Sequence, residues 1–158
     1  KNGALGEAAL KNVVEIMATL NKDAAEAMME VGAHACTDIT GFGLLGHLKS
    51  MLDGSGVGAR IVLSDIPIIP DAWEMGERGF VPGGSGRNRL WIEGDVDWDE
   101  GVSDLGRIIL MDAQTSGGLL IAVPGEDETK LQAALSARGV KGHTIGRVTE
   151  DRALAVAP

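Results

Sequence analysis

Between Ala33 and Leu52 a short apolar run, a carboxylate, a glycine-bracketed turn and a longer apolar run follow one another. That succession restricts the fold more than any other stretch of the chain. Ala33 to Thr37 has the length and composition of a buried strand, while Leu44, Leu45, Leu48, Met51 and Leu52 recur at helical spacing. Gly41 and Gly43 permit the turn that joins them, a conformation closed to residues with a Cβ. This order delivers Asp38 to the edge of a sheet, directly before the first turn of a helix. A carboxylate is a hard oxygen ligand for Mg²⁺, glycines let other backbone groups approach closely, and the free N–H groups of a helix start favour an anion. The same Asp also suits a helix cap or a closed turn, and the spacing alone leaves both readings open.

The rest of the chain alternates helical and extended patterns. Leu5, Ala8, Ala9, Val13, Ile16, Met17 and Leu20 predict a helix over about Ala4 to Leu20 with one buried stripe. Asn21 reads as an N-cap for a second helix over Lys22 to Val31, with Gly32 as its stop. The Leu44 to Leu52 helix closes in the glycine-rich Gly54 to Gly58, and Ala59 to Leu63 reads as a strand that Ile66 to Pro70 continues weakly. Asp71 to Glu77 fits a short helix entered through Pro70. Val81 to Asp99, with several glycines and mixed charge, is expected to be mostly loop, and a loop of that length is often functional. Ser103 to Met111 reads as helix, Leu119 to Val123 as a strand buried on both faces, and Glu126 to Arg138 as a helix stopped by Gly139. Thr144 to Val148 and Ala153 to Val156 are two closing strands. Strands and helices interleave without a clean β-α-β rhythm, so the expected class is α+β, a mixed β-sheet with helices packed on its faces.

Composition narrows the function. A net charge of −9 argues against nucleic acid as a partner, because that binding depends on Lys and Arg releasing counterions from phosphates. No apolar run approaches a membrane span, and Lys1-Asn2-Gly3 leads into an amphipathic pattern rather than a secretory segment. The single cysteine cannot form an internal disulfide or a zinc cage, which suits a cytoplasmic setting. At 158 residues, with no shift of composition, the chain is expected to be one domain.

Ala35-Cys36-Thr37-Asp38-Ile39-Thr40-Gly41-Phe42-Gly43-Leu44-Leu45-Gly46-His47, together with Asp112-Ala113-Gln114-Thr115-Ser116-Gly117-Gly118-Leu119-Leu120, closely resembles the C-terminal half of the selenophosphate synthetase (selenide, water dikinase) family. Pro82-Gly83-Gly84-Ser85-Gly86-Arg87-Asn88, Ile145-Gly146-Arg147-Val148 and the opening Leu5-Gly6 extend that resemblance over essentially the whole chain. It implies the fold of the C-terminal domain of aminoimidazole ribonucleotide synthetase. It also implies that Asp38 binds Mg²⁺ together with aspartates of an N-terminal domain, across a cleft that holds ATP. The intact enzyme it points to converts ATP, selenide and water into selenophosphate, AMP and phosphate, as a homodimer, and supplies selenium for selenocysteine and modified tRNA. The family's ATP-binding half has no counterpart in these residues, so residues 1–158 are expected to be the second domain of a longer enzyme and inactive alone. The rival readings are a non-catalytic scaffold or regulatory module, and the same domain of a related ATP-dependent enzyme.

Around Asp38, the hydroxyls of Thr37 and Thr40 can bond a phosphate or hold the loop's own backbone, and the spacing favours the backbone. With Gly41 and Gly43 they are candidates for one phosphate-proximal set, and Thr115, Ser116 and Gly117, in a loop read chiefly as packing against Leu119 to Val123, are candidates for a second. The second loop lacks the lysine of a P-loop and precedes a strand rather than a helix. Asp112 reads as a turn former, Phe42 as a core anchor, Cys36 as a small buried hydrophobe, and His47 as a packed or capping imidazole. Arg87, Asn88 and Arg89 read as solvated loop residues, and His34, His47 and His143 have no metal-ligand spacing.

Overall fold

The computed structural model describes residues 3–158; Lys1 and Asn2, where the expected domain begins, lie outside them. In chain order the elements are α1 (Glu7–Ala18), α2 (Lys22–Val31), β1 (Ala35–Asp38), α3 (Gly43–Ser55), β2 (Gly58–Val62), α4 (Pro70–Glu77), α5 (Gly83–Ile92), β3 (Val96–Trp98), α6 (Asp104–Leu110), β4 (Leu119–Ala122), α7 (Glu128–Ala137), β5 (Gly146–Thr149) and β6 (Leu154–Ala157). Four strands form a mixed sheet in the order β3-β6-β2-β5, in which β2 runs antiparallel to β5 and parallel to β6, and β3 runs parallel to β6. The remaining two strands do not join it. β1 and β4 pair antiparallel as a separate ribbon, with Cys36 opposite Ile121 and Asp38 opposite Leu119.

Two apolar clusters flank that ribbon. The larger joins Leu45, Leu48 and Leu52 of α3 to Ile61 of β2, Ile92 of α5, Leu110 of α6 and Val156 of β6, and Leu120 of β4 packs against it. The smaller joins Ala27 and Val31 of α2 to Leu131, Ala134 and Leu135 of α7, with Ile121 and Val123 packed on it. Successive strand residues point to opposite faces, so β4 sends Leu120 to one cluster and Ile121 to the other. The expectation of a strand covered on both faces holds in this sense, although each β4 residue is only partly buried. Burying a Leu or Ile side chain is worth about 1.5–3 kcal/mol, against about 0.2–1 kcal/mol for an exposed ion pair such as Lys49–Asp53 on the same helix. The three leucines therefore fix the position of α3, and with it the loop before it.

Three expectations are corrected, and a fourth, the Asn21 cap, holds in position only. The segment from Val81 to Asp99 is not mostly loop: it holds α5 and β3. The residues α5 buries are Ser85, Asn88 and Ile92, so the face that gives away a helix is mostly polar, and Leu90 and Trp91 lie outside. The stripe on α1 is not buried; none of that helix's residues is, and Leu10, Val14, Ile16 and Met17 are exposed. Ile66 to Pro70 is not a strand; a 3-10 turn at Leu63–Asp65 interrupts the chain after β2. Asn21 stands at the start of α2 but makes no side-chain capping bond. No helix among the described residues is long and apolar enough to cross a membrane.

Candidate functional site

Because β1 and β4 are antiparallel, the loop that leaves β1 and the loop that enters β4 meet at the same end of the ribbon. Their backbones are joined there. Ile39 N–H donates to Gly118 O at 2.9 Å, Gly117 N–H to Ile39 O at 2.8 Å, and Gln114 N–H to Thr40 O at 3.0 Å. A Cβ on Gly117 would stand 3.0 Å from Ile39 O and Cγ2, so the absence of a side chain is what lets these strands of loop touch. The two segments singled out from the sequence are thus one surface feature.

Asp38 lies at the open end of this feature. Its carboxylate is exposed, and among the described residues no side-chain hydrogen bond or ion pair engages it. It does not cap α3, whose N-cap position is Phe42. Strand alternation puts Cys36 on the same face. Burial, and secondarily the negative charge of Asp38, push the Cys36 thiol up, the opposite of what an activated nucleophile needs. Thr37 Oγ1 donates to Asp38 O at 3.2 Å, a bond within the loop. Thr40 is also occupied: its N–H donates to His47 Nε2 at 3.1 Å, and its hydroxyl oxygen lies 3.1 Å from the same nitrogen. His47 therefore accepts at Nε2 and ties the turn to α3.

Gly43, the first residue of α3, has φ +69°, and a Cβ there would lie 2.7–2.8 Å from Met111 C, Met111 O and Asp112 O. The start of α3 thus meets the end of α6 backbone to backbone. Phe42, expected in the core, is 55% exposed. Gly46, one turn further on, has no side chain, and Phe42 and Trp91 close over that gap with ring centroids 5.5 Å apart. The ring consequently lies on α3 rather than beneath it.

In the second loop Thr115 and Gly117 are exposed and Ser116 is partly buried. Asp112 is more than a turn former. Ser85 donates to Asp112 Oδ1, Gln114 Nε2 donates to Oδ2 at 3.2 Å, and Ala113 N–H donates to Ser85 Oγ at 3.2 Å. Burial raises the pKa of Asp112, and bonds from Ser85, Gln114 and the Ala113 N–H partly oppose it. A carboxyl whose folded pKa is raised favours the folded state most when protonated. Its contribution is therefore full below the ordinary carboxylate value near 4 and declines as pH rises through and above it. Asp112→Asn is expected to flatten that part of the stability profile, measured as urea midpoints between pH 4 and pH 7; a slope equal to that of the unsubstituted chain would refute it.

Of the three polar residues read as solvated loop, only Arg87 is solvated, and it lies on α5 rather than in a loop. Arg89 binds Glu93 at 2.8 Å and Asp104 at 2.5 Å. Asn88 is buried and donates at 2.9 Å both to Gly41 O and to Met111 O. Ser85 and Asn88 were missed as site residues because their signal, polar residues three apart on a buried helical face, is invisible to a search for apolar periodicity. No group of three or more His, Cys, Asp or Glu that could hold a metal occurs among the described residues. One unpaired carboxylate fits a single oxygen position of Mg²⁺, which usually takes one or two carboxylates with phosphate oxygens and water. The remaining ligands would come from outside this chain.

Residues 4–157 match the family described as AIR synthase related protein, C-terminal domain. Over 152 residues the chain is 45% identical to a selenide, water dikinase of Pelobacter propionicus, covering 96% of this chain and 44% of that protein. A selenide, water dikinase of Carboxydothermus hydrogenoformans is 44% identical over the same coverage. The chain thus spans less than half the length of these relatives. Among solved structures, the hydrogenase maturation protein HypE of E. coli superposes with a TM-score of 0.60 at 20% identity, covering 90% of this chain and 38% of that one. Thiamine-monophosphate kinase of Stenotrophomonas maltophilia gives 0.52 at 18% identity, covering 78% and 31%. At such identities these two likenesses speak for the fold.

Proposed function

This chain belongs to the AIR synthase related proteins, as their C-terminal domain, and from that premise we propose that it forms one wall of the ATP site of a selenophosphate synthetase. The reaction so assigned consumes ATP, selenide and water and yields selenophosphate, AMP and phosphate. The observation that carries the reading is the exposed carboxylate of Asp38, engaged by no side chain among the described residues, at the joined end of two loops. Relatives 44–45% identical over 96% of the chain and named selenide, water dikinase support the substrate assignment.

Bound Mg²⁺ would offset the charge of the triphosphate. The chain's own part is to hold one oxygen ligand, Asp38, where a facing domain can bring the nucleotide. Thr115, exposed, and Ser116, partly buried, would add hydroxyls to that wall, with Gly117 bonded to the first loop beside them. Thr37, Thr40, Gly41 and Gly43 build the wall chiefly through backbone, since the polar groups of Thr37 and Thr40 and the Gly41 carbonyl are engaged within the fold. The reading includes an N-terminal domain of the same polypeptide, a homodimer when intact, and a cytoplasmic setting.

The test is phosphorus NMR on the full-length gene product with ATP, Mg²⁺ and selenide. AMP, orthophosphate and a phosphorus signal split by selenium-77 are expected. ATP left intact, or ADP as the final product, would overturn the assignment.

A further inference from the structure

The buried face of α5 carries a polar device that holds the two loops in one relative position. Ser85, Asn88 and Ile92 follow at i, i+3 and i+7, one face of a helix, and are 1%, 7% and 0% exposed. Ile92 anchors that face in the larger cluster. Asn88 Nδ2 donates to Gly41 O, in the loop after β1, and to Met111 O, where the loop before β4 begins, each at 2.9 Å. One nitrogen serving two acceptors keeps those carbonyls within twice that distance of each other, although they lie 70 positions apart in the chain. One turn earlier, Ser85 donates to Asp112 and accepts from Ala113 N–H, fixing the next two residues of the same loop.

The chemistry is specific to an amide. A leucine of similar size would leave both carbonyls without a donor, and an aspartate keeps the shape while removing both hydrogens. The loops' own backbone bonds, Gln114 N–H to Thr40 O and Gly117 N–H to Ile39 O, lie one and two residues before Gly41 and three and six residues after Met111, the two residues this clasp holds. Those bonds share their loops with the clasp, so loosening it weakens them as well, and Asp38 and the Thr115–Gly117 segment would shift relative to each other.

We propose that Asn88, seconded by Ser85, is a positioning residue that sets the placement of the Asp38 loop against the Thr115–Gly117 loop. The inference rests on the reading of these loops as the wall of an ATP site. Neither residue touches the nucleotide in this account; each acts through the loops it holds.

The experiment compares Asn88→Leu, Asn88→Asp and the milder Ser85→Ala in the full-length gene product by hydrogen exchange and by kinetics. Amides of Gly43, Gln114 and Gly117 are expected to exchange about tenfold faster or more in the Asn88 variants, with peptides spanning β2 and β6 unchanged. In Ser85→Ala the acceleration is confined to residues 112–118. Because a displacement of about 1 Å can cost on the order of a hundredfold, kcat is expected to fall about that much, with the KM for Mg·ATP changing less than threefold. Unchanged loop exchange, or acceleration spread equally through the sheet, overturns the clasp. Faster loop exchange with unchanged kcat overturns the positioning role. If the unsubstituted protein shows no selenide-dependent ATP consumption, the functional reading fails by itself, and the exchange measurement still decides the clasp.

Discussion

Asp38→Asn in the full-length protein is expected to cut selenide-dependent ATP consumption by at least about a hundredfold while moving the melting temperature by no more than about 2 °C. The two halves of that result have separate causes. Stability is insensitive because the carboxylate is exposed and engaged by no side chain of the described residues, and surface substitutions away from such features usually stay within about 0.5 kcal/mol. Activity is sensitive because an amide oxygen lacks the charge that a magnesium–triphosphate pair draws on. Even groups one step behind a metal ligand cost about 10–100-fold when removed, so a ligand itself is expected to cost more. Raising Mg²⁺ should restore part of the rate. Full Mg²⁺-dependent activity in the variant would show that this side chain holds no metal.

Gly43→Ala should destabilise the fold strongly. The backbone there is left-handed at φ +69°, which costs a residue with a Cβ about 1–2 kcal/mol. The added carbon would also stand 2.7–2.8 Å from three main-chain atoms of Met111 and Asp112. Backbone cannot rotate aside as a side chain can, and overpacking of this kind costs about 1–3 kcal/mol more. A combined loss of about 3 kcal/mol corresponds to a melting temperature lower by about 10 °C for a chain of this size. Gly41, two residues earlier, faces open space and has no left-handed φ, so Gly41→Ala is expected to stay within about 0.5 kcal/mol. Equal melting temperatures for the two variants would refute the account of the α3–α6 junction.

What the sequence discloses depends on which side chains each element buries. The α2 and α3 helices are legible from apolar spacing, and each ends on a left-handed glycine, Gly32 and Gly56. Gly139, also left-handed, follows α7 in the same way. The α5 helix escapes because its inner face presents Ser85 and Asn88 to partners supplied by distant loops, and hydrogen bonding across 23 to 47 positions leaves no local trace. The stripe of α1 is a true helical period whose burial the pattern alone does not guarantee. Phe42 is misjudged because hydrophobicity cannot distinguish a ring below a helix from one resting on the gap left by Gly46. At the candidate site, the strand that carries Asp38 and the closeness of Gly41 and Gly43 to a helix start can be read directly. The meeting of the first loop with residues 112–118 follows only from the pairing of β1 with β4.

That pairing has a consequence for fidelity. Leu120 and Ile121 serve opposite apolar clusters, so a slip of one residue would turn each toward the wrong neighbour and strip both cores together. In the same slip Asp38 would lose its place beside the second loop. A misregistered chain cannot keep its leucines covered and still display its acid, so the force that selects the packed state also proofreads the proposed site.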